Sequence, residues 1–274
     1  MTINSCSSDK NGIRQIVEEW QGKHVELPED MTDFLTSDAI DLKDADFTIL
    51  TYVDSAGCTL CKMKLPLWKE FLSSLDSVCD SDVRFLMVVH PSDPHELRYA
   101  IKSSDFNYPV FLDIDNKVSQ INSFPDNAVL QTLLLDRNHK VKAIGSPLYT
   151  AELTKLYEGI ISGQMSVSTK SSNVVSVRES RIQLGNLHPG ETISKEILFT
   201  NRGNDTIRIK KVISSCECSE LSILDDHICP DSDLKARLQF KADTVTGEFE
   251  RTVQVFYTDF DYPTIITISG NIIQ

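Results

Sequence analysis

From Phe47 onward the chain alternates short apolar runs with segments of helical spacing. Phe47 to Val53 is an apolar, β-rich run. Over Thr59 to Cys79 the apolar positions Cys61, Leu65, Trp68, Leu72, Leu75 and Cys79 recur three and four residues apart, which predicts a helix with one buried stripe. Val83 to Val89 reads as a second buried strand, closed by His90-Pro91. Asp93 to Ser103 reads as a helix with Asp93 as N-cap and Pro94 at its first position. Val110 to Leu112 is short and extended. Leu133 to Leu135 and Lys140 to Ile144 form a hairpin across Asp136-Arg137-Asn138-His139, and a closing helix over Thr150 to Ile161 has Thr150 as N-cap. Strands alternating with helices predict an α/β domain, a central mixed sheet with helices on both faces.

The flanking segments read differently. Residues 11–24 place Ile13, Ile16, Val17 and Trp20 on one face of a short amphipathic helix. Residues 26–46 carry eight acids and one lysine and read as a solvated loop. Residues 163–173 are polar and small, which suits a linker. Beyond them the runs Ile193 to Thr200, Thr206 to Val212, Leu234 to Phe240, Thr252 to Tyr257 and Thr264 to Ile268 are separated by turn signals such as Pro189-Gly190, Gly203-Asn204, Pro230-Asp231 and Thr246-Gly247. No helical run remains, so an antiparallel β-sandwich is expected there. The resulting division is a tether and short helix over 1–29, an α/β domain over 30–162, a linker over 163–173 and an all-β domain over 174–274.

Charge and cysteines narrow the chemistry. The net charge is −13, which argues against binding a phosphate backbone, so no nucleic-acid partner is expected. Residues 1–163 hold 25 acids and 15 bases, residues 164–274 hold 15 and 12, and the asymmetry supports two modules. No run reaches the roughly 20 apolar residues of a membrane span. Seven cysteines in 274 residues are too few for a stapled miniature scaffold and point to local chemistry.

Cys58-Thr59-Leu60-Cys61 lies where a strand runs into a helix. There the unpaired backbone N–H groups favour a thiolate, so Cys58 is expected to attack a disulfide and Cys61, one turn on, to resolve the mixed disulfide. Alternatives are a structural disulfide and a metal site, although zinc would need two further ligands and none lies nearby in the sequence. Cys79 continues the apolar stripe and reads as a core thiol. His90 follows a strand end, and nothing in the sequence positions it for catalysis.

Cys58-Thr59-Leu60-Cys61-Lys62-Met63-Lys64-Leu65-Pro66 resembles the active-site helix of the thioredoxin family, with Pro66 in the place of its helix-kinking proline. Gln131 to Val141 is similar to that family's strand after its cis-proline, and the long segment from Val83 to Phe124 is similar to the peroxiredoxin-like and cytochrome-maturation branches. The resemblance covers roughly residues 30–162. It implies a thioredoxin-like fold, catalytic Cys58 and Cys61, no cofactor, and substrate docking at Gln131 and the preceding Leu130. Three positions depart from the pattern. Gln131 replaces the cis-proline, which implies a trans bond or a remodelled loop. Tyr52 replaces the buried acid that often relays protons. Ala56-Gly57 precedes the first cysteine where a tryptophan is usual.

Ser214-Ser215-Cys216-Glu217-Cys218-Ser219 follows a strand, with His227 and Cys229 further on. A disulfide from Cys229 to Cys216 or Cys218, unpaired half-buried thiols, and a Cys-x-Cys…His-x-Cys metal site of atypical spacing all remain open. Phe199 to Asn204, Ile209 to Val212, Ser215 to Cys218 and Ile268 to Ile272 resemble a bacterial family of immunoglobulin-like, Hydin-related domains of unknown function, whose Cys-Gly-Cys here carries Glu217. This resemblance identifies fold rather than activity. Ile3-Asn4-Ser5-Cys6 resembles a bacterial lipobox. It implies a lipid on Cys6, an upstream signal segment and a place in the cell envelope or periplasm, with contact to the membrane through that lipid alone; without a signal segment the protein would be cytoplasmic.

The function expected is a thiol–disulfide oxidoreductase acting on the thiols or disulfides of envelope proteins. The competing expectation is a non-catalytic envelope interaction protein on a degenerate thioredoxin-like scaffold, with the sandwich as its binding module. Peroxide reduction lacks the required cysteine context.

Overall fold

The computed structural model of the chain describes residues 6–55, 58–78, 80–91, 93–163, 174–258, 260 and 263–274. The first half is built on five strands: β1 (Phe47–Val53), β2 (Val83–Val89), β3 (Val110–Leu112), β4 (Thr132–Asp136) and β5 (Val141–Ile144). Their order is β3-β2-β1-β4-β5. β1, β2 and β3 run parallel, while β4 and β5 are antiparallel to their neighbours.

The strand sequences are apolar almost throughout because both faces are covered. Ile49, Phe85, Met87, Val89 and Leu134 point into one core, and Leu50, Leu86, Val88, Leu133 and Leu135 into another. Helices α3 (Leu65–Val78), α4 (Pro94–Ser103) and α6 (Ala151–Ile161) pack on the first core. Helices α1 (Cys6–Trp20) and α5 (Lys117–Asn122) pack on the second. This is the expected central mixed sheet with helices on both faces. Asp93 Oδ1 caps α4 by accepting from His95 N and Glu96 N, and Thr150 Oγ1 caps α6 by accepting from Leu153 N at 3.2 Å.

Four expectations need adjustment. The helix over 59–79 is two helices, because Lys64 adopts a left-handed conformation (φ 50°, ψ 39°) between α2 (Thr59–Met63) and α3. Pro66 has no N–H to continue an unbroken helix, so the chain restarts there. The N-terminal helix is part of the second core rather than a tether: Trp20, 2% exposed, stacks on Phe124, which stacks on Tyr52. The acidic segment 26–46 is more than a solvated loop. Phe34 and Leu35 pack on one core and Ile40 and Leu42 on the other, while Asp33 Oδ2 accepts from Val110 N at the β3 edge. On the opposite edge Gly22 N donates to Val141 O and Val25 N to His139 O. The N-terminal segments therefore close both sheet edges, which would otherwise be open to pairing. Finally, α5 and a 3₁₀ turn at Ala128–Gln131 had no periodic signature.

The linker expected at 163–173 lies, past Gly163, outside the described residues. Beyond it, two sheets face each other. One is β10 (Ser219–Ile223), β12 (Asp233–Lys241), β8 (Thr192–Asn201) and β6 (Val175–Val177); the other is β11 (His227–Ile228), β9 (Ile207–Ser214), β13 (Gly247–Tyr257), β14 (Thr264–Ile272) and β7 (Arg181–Leu187). Both contribute to one core, with Phe199, Leu238 and Phe240 from the first and Val253, Val255, Ile266 and Ile268 from the second. The sandwich is not wholly antiparallel as expected, since β14 and β7 run parallel. Their close approach explains Gly270: a Cβ there would meet Gly185 O and the Phe249 ring at 2.8 Å. Among the described residues no helix is long and apolar enough to cross a membrane.

Because Trp20 completes an aromatic stack under the sheet, Trp20→Ala should lower the stability of the thioredoxin-like half by about 3–5 kcal/mol. Urea unfolding followed by far-ultraviolet circular dichroism checks this. A loss below about 1 kcal/mol would place α1 outside the core.

Candidate active site

β1 delivers the chain to Cys58 at the sheet end. Cys58 is the N-cap of α2, extended at φ −78° and ψ 98°, and its Sγ accepts from Cys61 N at 3.3 Å. Cys58 and Cys61 form a disulfide with their Cα atoms 5.4 Å apart. Cys58 is half-buried, while Cys61 is only 7% exposed. That asymmetry fits an attacking outer thiol and a resolving inner one. Ala56 and Gly57 lie outside the described residues. α2 has five residues, so the helix dipole behind Cys58 is shorter than the sequence implied; the Cys61 N–H contact is the local donor a thiolate would keep.

Gln131 reaches the same place. Its Nε2 donates to Pro125 O at 3.0 Å and lies 3.5 Å from Asp54 Oδ2, whose other oxygen accepts from Lys62 Nζ at 2.5 Å. Gln131 and Cys58 line one cleft, together with Lys62, Tyr149 and Arg251. The segment ahead of β4 is a 3₁₀ turn, the remodelled loop expected when proline is absent. The Leu130 side chain is not in the cleft: it is 5% exposed and belongs to the core with Leu50 and Tyr52, so only its backbone could meet a substrate.

The cleft is closed by the sandwich. Gln254 Nε2 donates to Leu148 O at 2.9 Å, Lys211 pairs with Glu70, and Ile213 packs on the first core. Lys64, 4% exposed, donates to Thr252 Oγ1 at 3.0 Å and holds its Nζ 3.5 Å from the centre of the Tyr149 ring. Burial pushes the Lys64 ammonium down to about 7; the Arg251 charge adds to this and the Glu250 charge opposes it. Burial, reinforced by Glu250, holds the Tyr149 hydroxyl well above its usual range.

The same interface carries the second cysteine pair. Cys216 and Cys218 form a disulfide with Cα atoms 5.3 Å apart, leaving Cys229 free and exposed. The expected pairing through Cys229 is therefore not made. Cys229 follows β11, which pairs with β9 at Ile207 and Arg208, whereas Cys216 lies past the other end of β9. Strand rise alone sets those ends about 20 Å apart. His227 is held at that far end by Arg208 and Asp226, so the Cys-x-Cys…His-x-Cys metal set is not assembled.

What the fold assembles instead lies between the halves. The Sγ atoms of Cys61, Cys216 and Cys218 lie within 4.8 Å of one another, as do Cys58 Sγ, Cys61 Sγ and a carboxylate oxygen of Asp243. Cys61 Sγ is 3.6 Å from Asp243 Oδ2, the distance at which its reduced thiol would donate. Arg251, 2% exposed, points Nε at Cys218 Sγ from 3.2 Å and Nη2 at Asp243 from 3.8 Å. Ser215 N donates to Thr252 O at 2.8 Å and Thr252 N donates to Ser215 Oγ at 2.9 Å, which fixes the loop that carries Cys216. Both pairs are oxidised, and disulfide sulfurs are not metal ligands. The Tyr52 hydroxyl donates to Asn116 Oδ1 at 2.7 Å, and a carboxylate that approaches Cys61 is Asp243, from the other half. Sequence reasoning passed over Lys64, which lies inside the Cys58–Pro66 motif without a role of its own there, and over Asp243 and Arg251, which stand in no local motif. Cys79 lies outside the described residues, as does the Cys6 side chain; Cys6 begins α1. His90 Nδ1 is engaged by Asp113 O at 3.0 Å, a structural contact.

Residues 175–272 match a family model described as a protein of unknown function, DUF1573. No curated protein matches the chain. Among solved structures, the chain is similar to the thioredoxin domain of a thiol-disulfide oxidoreductase from Bacteroides vulgatus, at 14% identity over 52% of this chain and 97% of that one, TM-score 0.41. It is also similar to StoA from Bacillus subtilis, at 20% identity over 46% and 94%, TM-score 0.36. A protein of unknown function from Porphyromonas gingivalis matches at 15% identity over 36% of this chain, TM-score 0.31, and the chain spans 46% of its length.

Lys64 gives a pH test. A lysine that loses its proton near 7 when folded but near 10.4 when unfolded makes folding release a proton between those values, so stability rises with pH across that window. Lys64→Met should remove this slope: its stability relative to the wild type is highest at pH 7 and falls by up to about 1.4 kcal/mol per pH unit toward pH 10. Urea midpoints of both proteins at intervals across the window check it, and parallel curves would contradict a neutralised buried lysine.

Proposed function

We propose that the protein is a thiol–disulfide oxidoreductase whose nucleophile is Cys58 and whose resolving thiol is Cys61. One observation carries this reading: a half-exposed cysteine caps a helix at the end of the central strand of a thioredoxin-like sheet and is paired with a buried cysteine one turn on. In the reaction, the Cys58 thiolate attacks a substrate disulfide and forms a mixed disulfide. Cys61 passes its proton toward Asp243 and displaces the substrate thiol, closing Cys58–Cys61. The reverse sequence oxidises a substrate dithiol. No cofactor is required. A substrate backbone docks beside the half-buried Cys58; Gln131, only 5% exposed, lines the same cleft and offers little surface of its own.

On this reading the substrates are thiols or disulfides of envelope proteins. The lipobox-like Ile3-Asn4-Ser5-Cys6 supports an envelope location with a lipid on Cys6, a compartment where disulfides persist. The sandwich, read as an immunoglobulin-like module, covers the inner sulfur and leaves the outer one to the partner.

Cys58→Ser should lower turnover of a small aromatic disulfide by about 100-fold or more, and Cys61→Ser should accumulate a mixed disulfide on Cys58. Turnover that survives Cys58→Ser, or a Cys58–Cys61 reduction potential below about −300 mV, would make the pair a structural disulfide and favour the interaction-protein reading.

A further inference from the structure

The Cys58 reaction needs no second cysteine pair, yet the fold places one against Cys61. Cys216–Cys218 is the tip of a loop tied to β13, and its sulfurs share a 4.8 Å neighbourhood with Cys61 Sγ. The buried Arg251 holds Cys218, and the half-buried Asp243 faces Cys61. Glu217, between the two cysteines, is exposed, so the outer side of the loop faces solvent while its sulfurs face inward.

The geometry points to an intramolecular relay in which the Cys58–Cys61 and Cys216–Cys218 pairs exchange two electrons through a mixed disulfide between Cys61 and Cys216. It rests on the proposed chemistry of Cys58 and Cys61 and extends it to a second acceptor. A dithiol protein first reduces Cys58–Cys61 and is itself oxidised to a disulfide. Cys61 loses its proton to Asp243, and the Cys61 thiolate attacks Cys216 Sγ. The Cys61–Cys216 bond forms as the Cys216–Cys218 bond breaks, and Cys218 leaves as a thiolate beside the Arg251 guanidinium. The Cys58 thiolate then attacks Cys61, closing Cys58–Cys61 and releasing Cys216 as a thiolate. The two thiol protons lost by Cys58 and Cys61 match those gained by Cys216 and Cys218. One pair is oxidised and the other reduced, with no further reagent. The position of Arg251 decides the regiochemistry: it stabilises Cys218 as leaving group, so Cys216 is the sulfur attacked. Run backward, the relay carries oxidising equivalents from the sandwich to Cys58.

The test traps the intermediate in the full chain. Cys58→Ser/Cys218→Ser leaves Cys61 and Cys216 as the only members of the two pairs, and Cys58→Ser/Cys216→Ser leaves Cys61 and Cys218. In a glutathione redox buffer the first variant should form an intramolecular Cys61–Cys216 cross-link, mapped by peptide mass spectrometry. It should form at a rate independent of protein concentration, and in the single variant Cys58→Ser, where Cys216–Cys218 is intact and Cys218 can leave, Cys61 should be found on Cys216 about fivefold or more over Cys218. In the wild type, mass spectrometry after limiting dithiothreitol and acid quenching should find electrons on both pairs; in Cys58→Ser/Cys61→Ser, reduction of Cys216–Cys218 should slow about tenfold. Absence of both cross-links, with wild-type reduction of Cys216–Cys218 unaffected by loss of Cys58 and Cys61, overturns the relay. If Cys58 nevertheless exchanges with the small aromatic disulfide, only the relay fails; if it does not, the oxidoreductase reading fails with it.

Discussion

The buried Lys64 is the constraint on which the cysteine geometry depends. Its left-handed backbone separates α2 from α3 and turns the two-cysteine helix independently of the longer one. Its Nζ then bridges the halves, resting on Tyr149 of the first and donating to Thr252 of the second. Removing a lysine from water is costly, and this one keeps a hydrogen-bond partner and a ring face in partial compensation. Thr252 in turn is bonded to Ser215, next to Cys216. A short line of contacts therefore runs from the helix break beside the first cysteine pair to the loop of the second.

Around that line the contact between the packed halves is polar. Arg251 and Gln254 are buried on β13, and Asp243 reaches across to Cys61. Such groups seldom favour stability over an apolar contact of the same size. In the proposed relay that placement puts a carboxylate beside the thiol that gives up its proton and a guanidinium beside the sulfur that takes up charge. The carboxylate 3.6 Å from Cys61 Sγ, Asp243, comes from the sandwich, a distant part of the chain. The two halves together thus hold a set of groups that neither contains alone.

Much of the first half was legible in the sequence because its determinants are local. The apolar strands Phe47–Val53 and Val83–Val89 are buried on both faces, and Asp93 and Thr150 mark helix starts by their own side-chain bonds. The Cys58 motif was legible for the same reason, since its helix, cap and disulfide lie within a few residues. The break at Lys64 was hidden because apolar spacing continues across it in Leu65, Trp68 and Leu72. The packed nature of 26–46 was hidden by its acids, which sit outward or cap turns while Phe34 and Ile40 turn in. The Cys216–Cys218 pairing, and the contact of that pair with Cys61, depend on which end of β9 faces α3. Periodicity carries no information on that.

The central claim is that the two cysteine pairs form one redox unit at the interface. A redox titration of the full chain in dithiothreitol buffers, with the state of each cysteine read by differential alkylation and mass spectrometry, tests it most directly. The account predicts that both pairs titrate together, with potentials within about 60 mV of each other, so that electrons pass between them without a large equilibrium bias. A Cys216–Cys218 pair that stays oxidised where Cys58–Cys61 is fully reduced would contradict it.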